Sequence, residues 1–159
     1  MHPEEYETLV HENSWKQLET RPYLWGTFVW NMFDFAADGR AEGDTLGRND
    51  KGLVTYDRAV RKDAFYWYKA NWTTTSFVHL TSARWTDRTV AATTVKAYGD
   101  AVDAVSVTVN GVAAGPPTTS SDHIYTWPVT LAPGANVVTV SGTRGGHVYT
   151  DTATWTLKS

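Results

Sequence analysis

A chain of 159 residues with 42% hydrophobic content and a net charge of -3 is that of a globular protein, and the absence of Cys excludes disulfides and thiolate metal sites. Lys and Arg are scattered singly, and no run reaches the roughly 18 apolar residues of a membrane span, so neither nucleic acid nor membrane is expected as a partner. The 8 Trp and 8 Tyr suit cores, interfaces and sugar-stacking platforms alike, so their positions must decide between these uses. The acidic start Met1-His2-Pro3-Glu4-Glu5 has neither the positive nor the apolar region of a signal peptide, which leaves the compartment, cytoplasmic or secreted, open.

In chain order, Tyr6, Leu9, Val10 and Leu18 fall near helical spacing, and the pattern predicts a helix from Pro3 to about Glu19. Arg21-Pro22 ends it. Leu24 to Phe33 is then nearly all apolar or aromatic, as expected of an inner strand buried on both faces. A polar, Gly-rich loop from Ala36 to Gly52 follows, long enough to carry binding residues. From Asp57 to Trp72, the residues Val60, Ala64, Phe65, Tyr68 and Trp72 predict a second helix with Asp57 as its cap.

Beyond Trp72 the period changes to two. Val105, Val107 and Val109 alternate with Ser106 and Thr108; Tyr125, Trp127, Val129 and Leu131 form a second series and Ala153, Trp155 and Leu157 a third. Asn110-Gly111, Pro133-Gly134 and Gly145-Gly146 mark turns, and about seven short strands are expected over Ser76 to Ser159. The expected fold class is therefore α+β: a helix-strand-loop-helix unit over residues 1–72, then an immunoglobulin-like antiparallel β-sandwich over residues 73–159. One strand greasy on both faces needs neighbours at both edges. Helix, strand, long loop and helix match the C-terminal quarter of a (β/α)8 barrel, so the unit is expected to be completed by the missing barrel portion or by a second copy in a homodimer.

Three blocks carry a resemblance. Trp25-Gly26-Thr27-Phe28-Val29-Trp30-Asn31-Met32-Phe33-Asp34, Asn49-Asp50-Lys51-Gly52-Leu53-Val54-Thr55-Tyr56-Asp57-Arg58 and Lys62-Asp63-Ala64-Phe65-Tyr66-Trp67-Tyr68-Lys69-Ala70-Asn71-Trp72 together resemble glycoside hydrolase family 2, the β-galactosidase and β-glucuronidase family. The resemblance implies the C-terminal part of a retaining β-glycosidase, β-galactosidase-like, with a β-galactoside or related carbohydrate as partner and a β-glucuronide as the alternative substrate class. Such enzymes need two carboxyl groups about 5 to 5.5 Å apart. No segment resembles either catalytic Glu motif, so the chain alone is expected to be inactive, with both Glu upstream of Met1.

The resemblance implies four substrate-binding residues, each with a second reading. Trp30 matches an aromatic at the floor of the sugar pocket, or fills a barrel core. Asp34 accepts hydrogen bonds from sugar hydroxyls, or pairs with an Arg or Lys. Asn49 and Lys51 match an Asn-x-Lys-Gly pattern that contacts a substrate carboxylate in β-glucuronidases and also occurs in β-galactosidase-like members, or form a solvated turn in which Gly52 takes positive φ. The five His are dispersed, and Asp38, Asp44 and Asp50 lack the alternation of a calcium loop, so neither a metal nor another cofactor is expected. Two non-catalytic readings stand beside the glycosidase: a carbohydrate-binding module, and a structural or dimerisation module.

Overall fold

The computed structural model describes residues 3–39 and 42–158. The chain divides between Tyr68 and Lys69 into two compact units. Among the described residues it is mostly β, with two helices, and neither helix is long and apolar enough to cross a membrane.

In the first unit, α1 runs Pro3–Leu18, with Glu4 and Glu5 in its first turn and Lys16 in its last, both favourable to the helix dipole. Its inward face is not the apolar one. Glu4, Thr8 and Glu12, spaced four apart on one stripe, are buried, whereas Tyr6, Leu9, Val10 and Leu18 are exposed. Polar contacts on this side of the helix accompany the inversion: Glu4 Oε1 accepts the Asp63 backbone N–H at 3.0 Å, and Glu7 pairs with Lys62 at 3.3 Å.

The inner strand expected over Leu24 to Phe33 does not form. Trp25 to Trp30 joins no ladder among the described residues, and Trp25, Phe28 and Trp30 are 92%, 89% and 72% exposed. The physical reason is pairing: only the end of the segment finds a neighbour. Leu53 N–H donates to Asn31 O at 3.0 Å, Val54 N–H to Met32 O at 3.0 Å and Asp34 N–H to Val54 O at 2.9 Å, giving a parallel bridge between Phe33 and Val54. An apolar run without partners at its edges stays extended and wet.

Within the long loop, β1 (Phe35–Ala36) pairs antiparallel with β2 (Arg48–Asn49), Phe35 opposite Asn49. The second helix, α2, spans Asp63–Trp72, so the expected start at Asp57 is corrected. Residues 55–60 are committed to a turn instead. Thr55 N–H donates to Val60 O at 2.9 Å, and Asp57 Oδ1 accepts the Thr55 hydroxyl at 2.6 Å and the Ala59 N–H at 3.1 Å.

The second unit holds two sheets. β3 (Phe77–Leu80), β5 (Ala92–Asp100), β8 (Thr119–Ser121) and β9 (Ile124–Thr130) lie in the order β3-β5-β9-β8. β4 (Asp87–Arg88), β6 (Ala104–Val109), β7 (Val112–Ala113), β10 (Gly134–Arg144) and β11 (His147–Leu157) lie in the order β4-β11-β10-β6-β7. Pairing is antiparallel except that β11 runs parallel to the short β4, a departure from the strictly antiparallel expectation. Every alternating residue named in the three series above is either in the common apolar core or packed against it; Val107, Trp127, Val138, Val140 and Trp155 are among its most buried members. Asn110 and Gly111 both take positive φ, as do Gly145 and Gly146, so each pair closes a two-residue hairpin.

One polar residue in this core escaped the periodicity. Asn136 is fully buried; its Nδ2 donates to Ala132 O at 2.8 Å and Gly134 O at 2.9 Å, and its Oδ1 accepts Ala132 N–H at 2.8 Å and Asn110 Nδ2 at 3.1 Å. Asn110 Oδ1 in turn accepts Val137 N–H at 2.8 Å, so the two amides tie the β6–β7 turn to the start of β10. Asn136→Ala removes hydrogen bonds from several part-buried backbone groups at once and is expected to destabilise the β unit by about 2–3 kcal/mol in urea denaturation.

Candidate functional site

The four sequence-derived candidates fall around the β1–β2 pair. Trp30 lies against Phe35, ring centroids 6.0 Å apart at 85°, and the Trp30–Asn31 peptide is cis. Phe35 is the backbone partner of Asn49, and Lys51 follows two residues on. Asp34 immediately precedes β1. The structure thus brings the four into one stretch of connected backbone, with Trp30 exposed and Asp34 buried.

Asn49 is buried to 2% exposure, and its side chain is held in a fixed direction: Oδ1 accepts the Lys51 backbone N–H at 3.0 Å. That leaves Nδ2 to donate, and it donates to Glu42 Oε2. Lys51 Nζ donates to the same oxygen at 3.2 Å. A neutral amide and an ammonium therefore converge on one carboxylate oxygen, the donor set that a carboxylate requires.

Gly52 does not take the positive φ expected of a solvated turn. It is buried, and a Cβ there would land on the backbone of Phe33 and Asp34, so glycine is needed for close approach rather than for handedness. Asp34 Oδ1 accepts the Gly52 N–H at 2.9 Å and Lys62 Nζ at 2.8 Å. Lys62 Nζ also donates to Asp50 O at 2.7 Å and to Glu7 Oε2 at 3.3 Å. This buried ammonium gathers α1, Asp34 and the Asn49–Gly52 turn.

Burial pushes the Glu7 carboxyl up from 4.5 to about 7, outweighing the downward pull of the adjacent Lys62 ammonium. His11, whose Nδ1 is 3.0 Å from the Tyr68 hydroxyl, is pulled below its usual value by burial first and by Lys62 second. Burial raises Tyr68.

Sequence reasoning missed Glu42 and Lys62. Lys62 left a readable signal, since a cation just before the start of a helix opposes the dipole and so implies another duty. Glu42 left none, because its link to Asn49 depends on the fold of the loop. Among the described residues no group of three or more His, Cys, Asp or Glu is placed to hold a metal ion.

No family model matches the chain. It is 45% identical over 155 residues to a β-glucuronidase of Bacteroides fragilis, an alignment that covers 96% of this chain and 22% of that protein. A solved Bacteroides fragilis structure assigned as a β-galactosidase superposes with a TM-score of 0.90 at 34% identity, covering 99% of this chain and 24% of the other. An FMN-binding β-glucuronidase from Facaelibacterium prausnitzii superposes with a TM-score of 0.84 at 38% identity, covering 98% and 23%. These likenesses define the class as glycoside hydrolase. The chain belongs to the β-glucuronidase/β-galactosidase family, glycoside hydrolase family 2, and corresponds to its C-terminal portion. It spans about a fifth of the length of the relatives it matches, 22% and 16% for two of them.

The Lys62 cluster yields a pH dependence. Glu7 holds its proton more tightly folded than unfolded, so its stabilisation is full below about 4.5 and is lost as pH rises through about 7. His11 acts in the opposite sense: its stabilisation is present above 6.5 and is lost as pH falls through its lowered value. Between about pH 5 and about pH 8, the unit containing α1 is expected to lose on the order of 2–3 kcal/mol through Glu7, partly offset by His11 below 6.5. Glu7→Gln is expected to flatten that slope in pH-dependent chemical denaturation.

Proposed function

We propose that this chain supplies the sugar-positioning end of a retaining β-glycosidase, and that the carboxyl pair that breaks the glycosidic bond is carried by polypeptide outside it. The observation that carries the reading is the convergence of Asn49 Nδ2 and Lys51 Nζ on a single carboxylate oxygen. The pair provides one charged and one neutral donor at a fixed point, which suits the carboxylate of a β-glucuronide. Likeness to β-glucuronidases at 45% and 38% identity supports that substrate class.

The β-galactoside reading rests on a different observation. Glu42 already pairs with Lys51, so the resting patch does not require an anionic sugar to satisfy its ammonium. In either case Trp30 offers an exposed indole face for the apolar side of a pyranose, and Asp34 acts from behind by anchoring Gly52 and Lys62.

The domain reading follows. Residues 1–72 are the end of a (β/α)8 barrel, and residues 73–159 an immunoglobulin-like domain. Leu24, Trp25, Phe28 and Met32 are exposed in this chain, and the missing barrel portion, or a second copy in a homodimer, is what would cover them. The chain alone is then a binding element and not a catalyst.

Titration calorimetry of the full chain with methyl β-D-glucuronide is expected to show weak binding that falls about tenfold or more in Lys51→Met, the worth of one charge-assisted hydrogen bond. The same preparation is expected to leave nitrophenyl β-D-glucuronide and β-D-galactoside intact. Turnover that copurifies with the folded chain and survives Lys51→Met would refute the reading.

A further inference from the structure

The carboxylate on the Asn49–Lys51 pair belongs to the chain itself. Glu42 is tethered at this place by its backbone, which forms a parallel bridge with Asn49, and its Oε2 is the oxygen on which both donors converge. The Asn49 amide cannot rotate away at no cost, because Oδ1 is engaged by the Lys51 N–H at 3.0 Å. The two charged side chains are reachable from solvent: Lys51 is 58% exposed and Glu42 30%. Glu42 has a long, unbranched side chain that can leave, whereas buried Asn49 stays.

We propose that Glu42 is a built-in competitor for the Asn49–Lys51 pair, a specificity-determining residue that an anionic sugar must displace and a neutral sugar need not. This rests on the reading that the pair faces substrate. Two carboxylates cannot occupy one oxygen site; like charges at that range repel, and the donors can satisfy only one of them. A sugar carboxylate therefore binds only the fraction of molecules in which Glu42 has swung out, and its apparent affinity is reduced by that fraction. A neutral sugar meets a pair already satisfied and uncharged, and its affinity is independent of where Glu42 sits. The residue thus narrows the preference for anionic over neutral substrates by a repulsive element.

Glu42→Gln tests this, because it keeps the size of the side chain and an acceptor oxygen and removes the charge. Calorimetry of the full chain is expected to show methyl β-D-glucuronide bound about tenfold more tightly by E42Q, with methyl β-D-galactoside unchanged. Weaker glucuronide binding, an equal change for both sugars, or no glucuronide binding by either protein would overturn the proposal. Lys51→Met separates the two layers: if it abolishes glucuronide binding while E42Q changes nothing, the competitor fails and the substrate-facing pair stands. If glucuronide binding is no weaker in Lys51→Met, the substrate-facing reading itself fails. As a second readout that needs no added ligand, the Asn49 side-chain amide protons are expected to move upfield in E42Q, and glucuronide but not galactoside is expected to return them downfield. Resonances that stay in place would contradict it.

Discussion

The Lys62 ammonium is buried between α1 and the Asn49–Gly52 turn, and it is the point at which separate stretches of the first unit are joined. Asp34 at 2.8 Å, the Asp50 carbonyl at 2.7 Å and Glu7 at 3.3 Å share it. Asp34 passes the constraint on by accepting the Gly52 N–H, and Gly52 can approach only because it has no Cβ. The turn so fixed sets the direction of Asn49 and Lys51. A buried ion pair is weak evidence for net stability, since desolvation offsets much of the attraction, but removing one partner is costly, about 3–5 kcal/mol. Its effect here is specification of one loop geometry.

The two units are held by different physics. In the β unit, apolar side chains from two sheets form the core, and Asn136, one of several buried polar residues, is held by multiple hydrogen bonds. In the first unit the α1 stripe facing inward is Glu4, Thr8 and Glu12, and the apolar residues of Leu24 to Met32 are largely at the surface. A helix that turns carboxylates inward and Tyr6, Leu9 and Val10 outward has its order reversed relative to a self-contained bundle. That reversal agrees with the membership of a family whose proteins are four to six times longer than this chain.

How far the fold was legible follows from the range of the forces involved. Period two in Val105–Val109 and the Asn110-Gly111 and Gly145-Gly146 pairs are local signals, and they located strands, faces and turns. The run Trp25–Phe33 carried an equally plain signal for a buried strand, yet burial depends on neighbours, and only Asn31–Asp34 has one. The start of α2 was misplaced because Asp57 is a good cap residue in isolation, whereas the Thr55–Val60 turn claims it first. At the site, the Asn-x-Lys-Gly pattern pointed to Asn49 and Lys51, but no spacing rule connects Glu42 or Lys62 to them. Glu42 reaches Asn49 and Lys51 across 7 and 9 positions, and Lys62 reaches Asp34 across 28, contacts created by folding.

The central claim, that Lys62 fixes the turn on which Asn49 and Lys51 are displayed, is tested most directly by amide hydrogen exchange on Lys62→Met. Met retains the length and apolar stem of the side chain and removes the charge. The account predicts that the Gly52, Leu53 and Val54 amides, which donate to Asp34, Asn31 and Met32, exchange at least about tenfold faster while the β10 amides keep their protection. Unchanged protection at all three would contradict it.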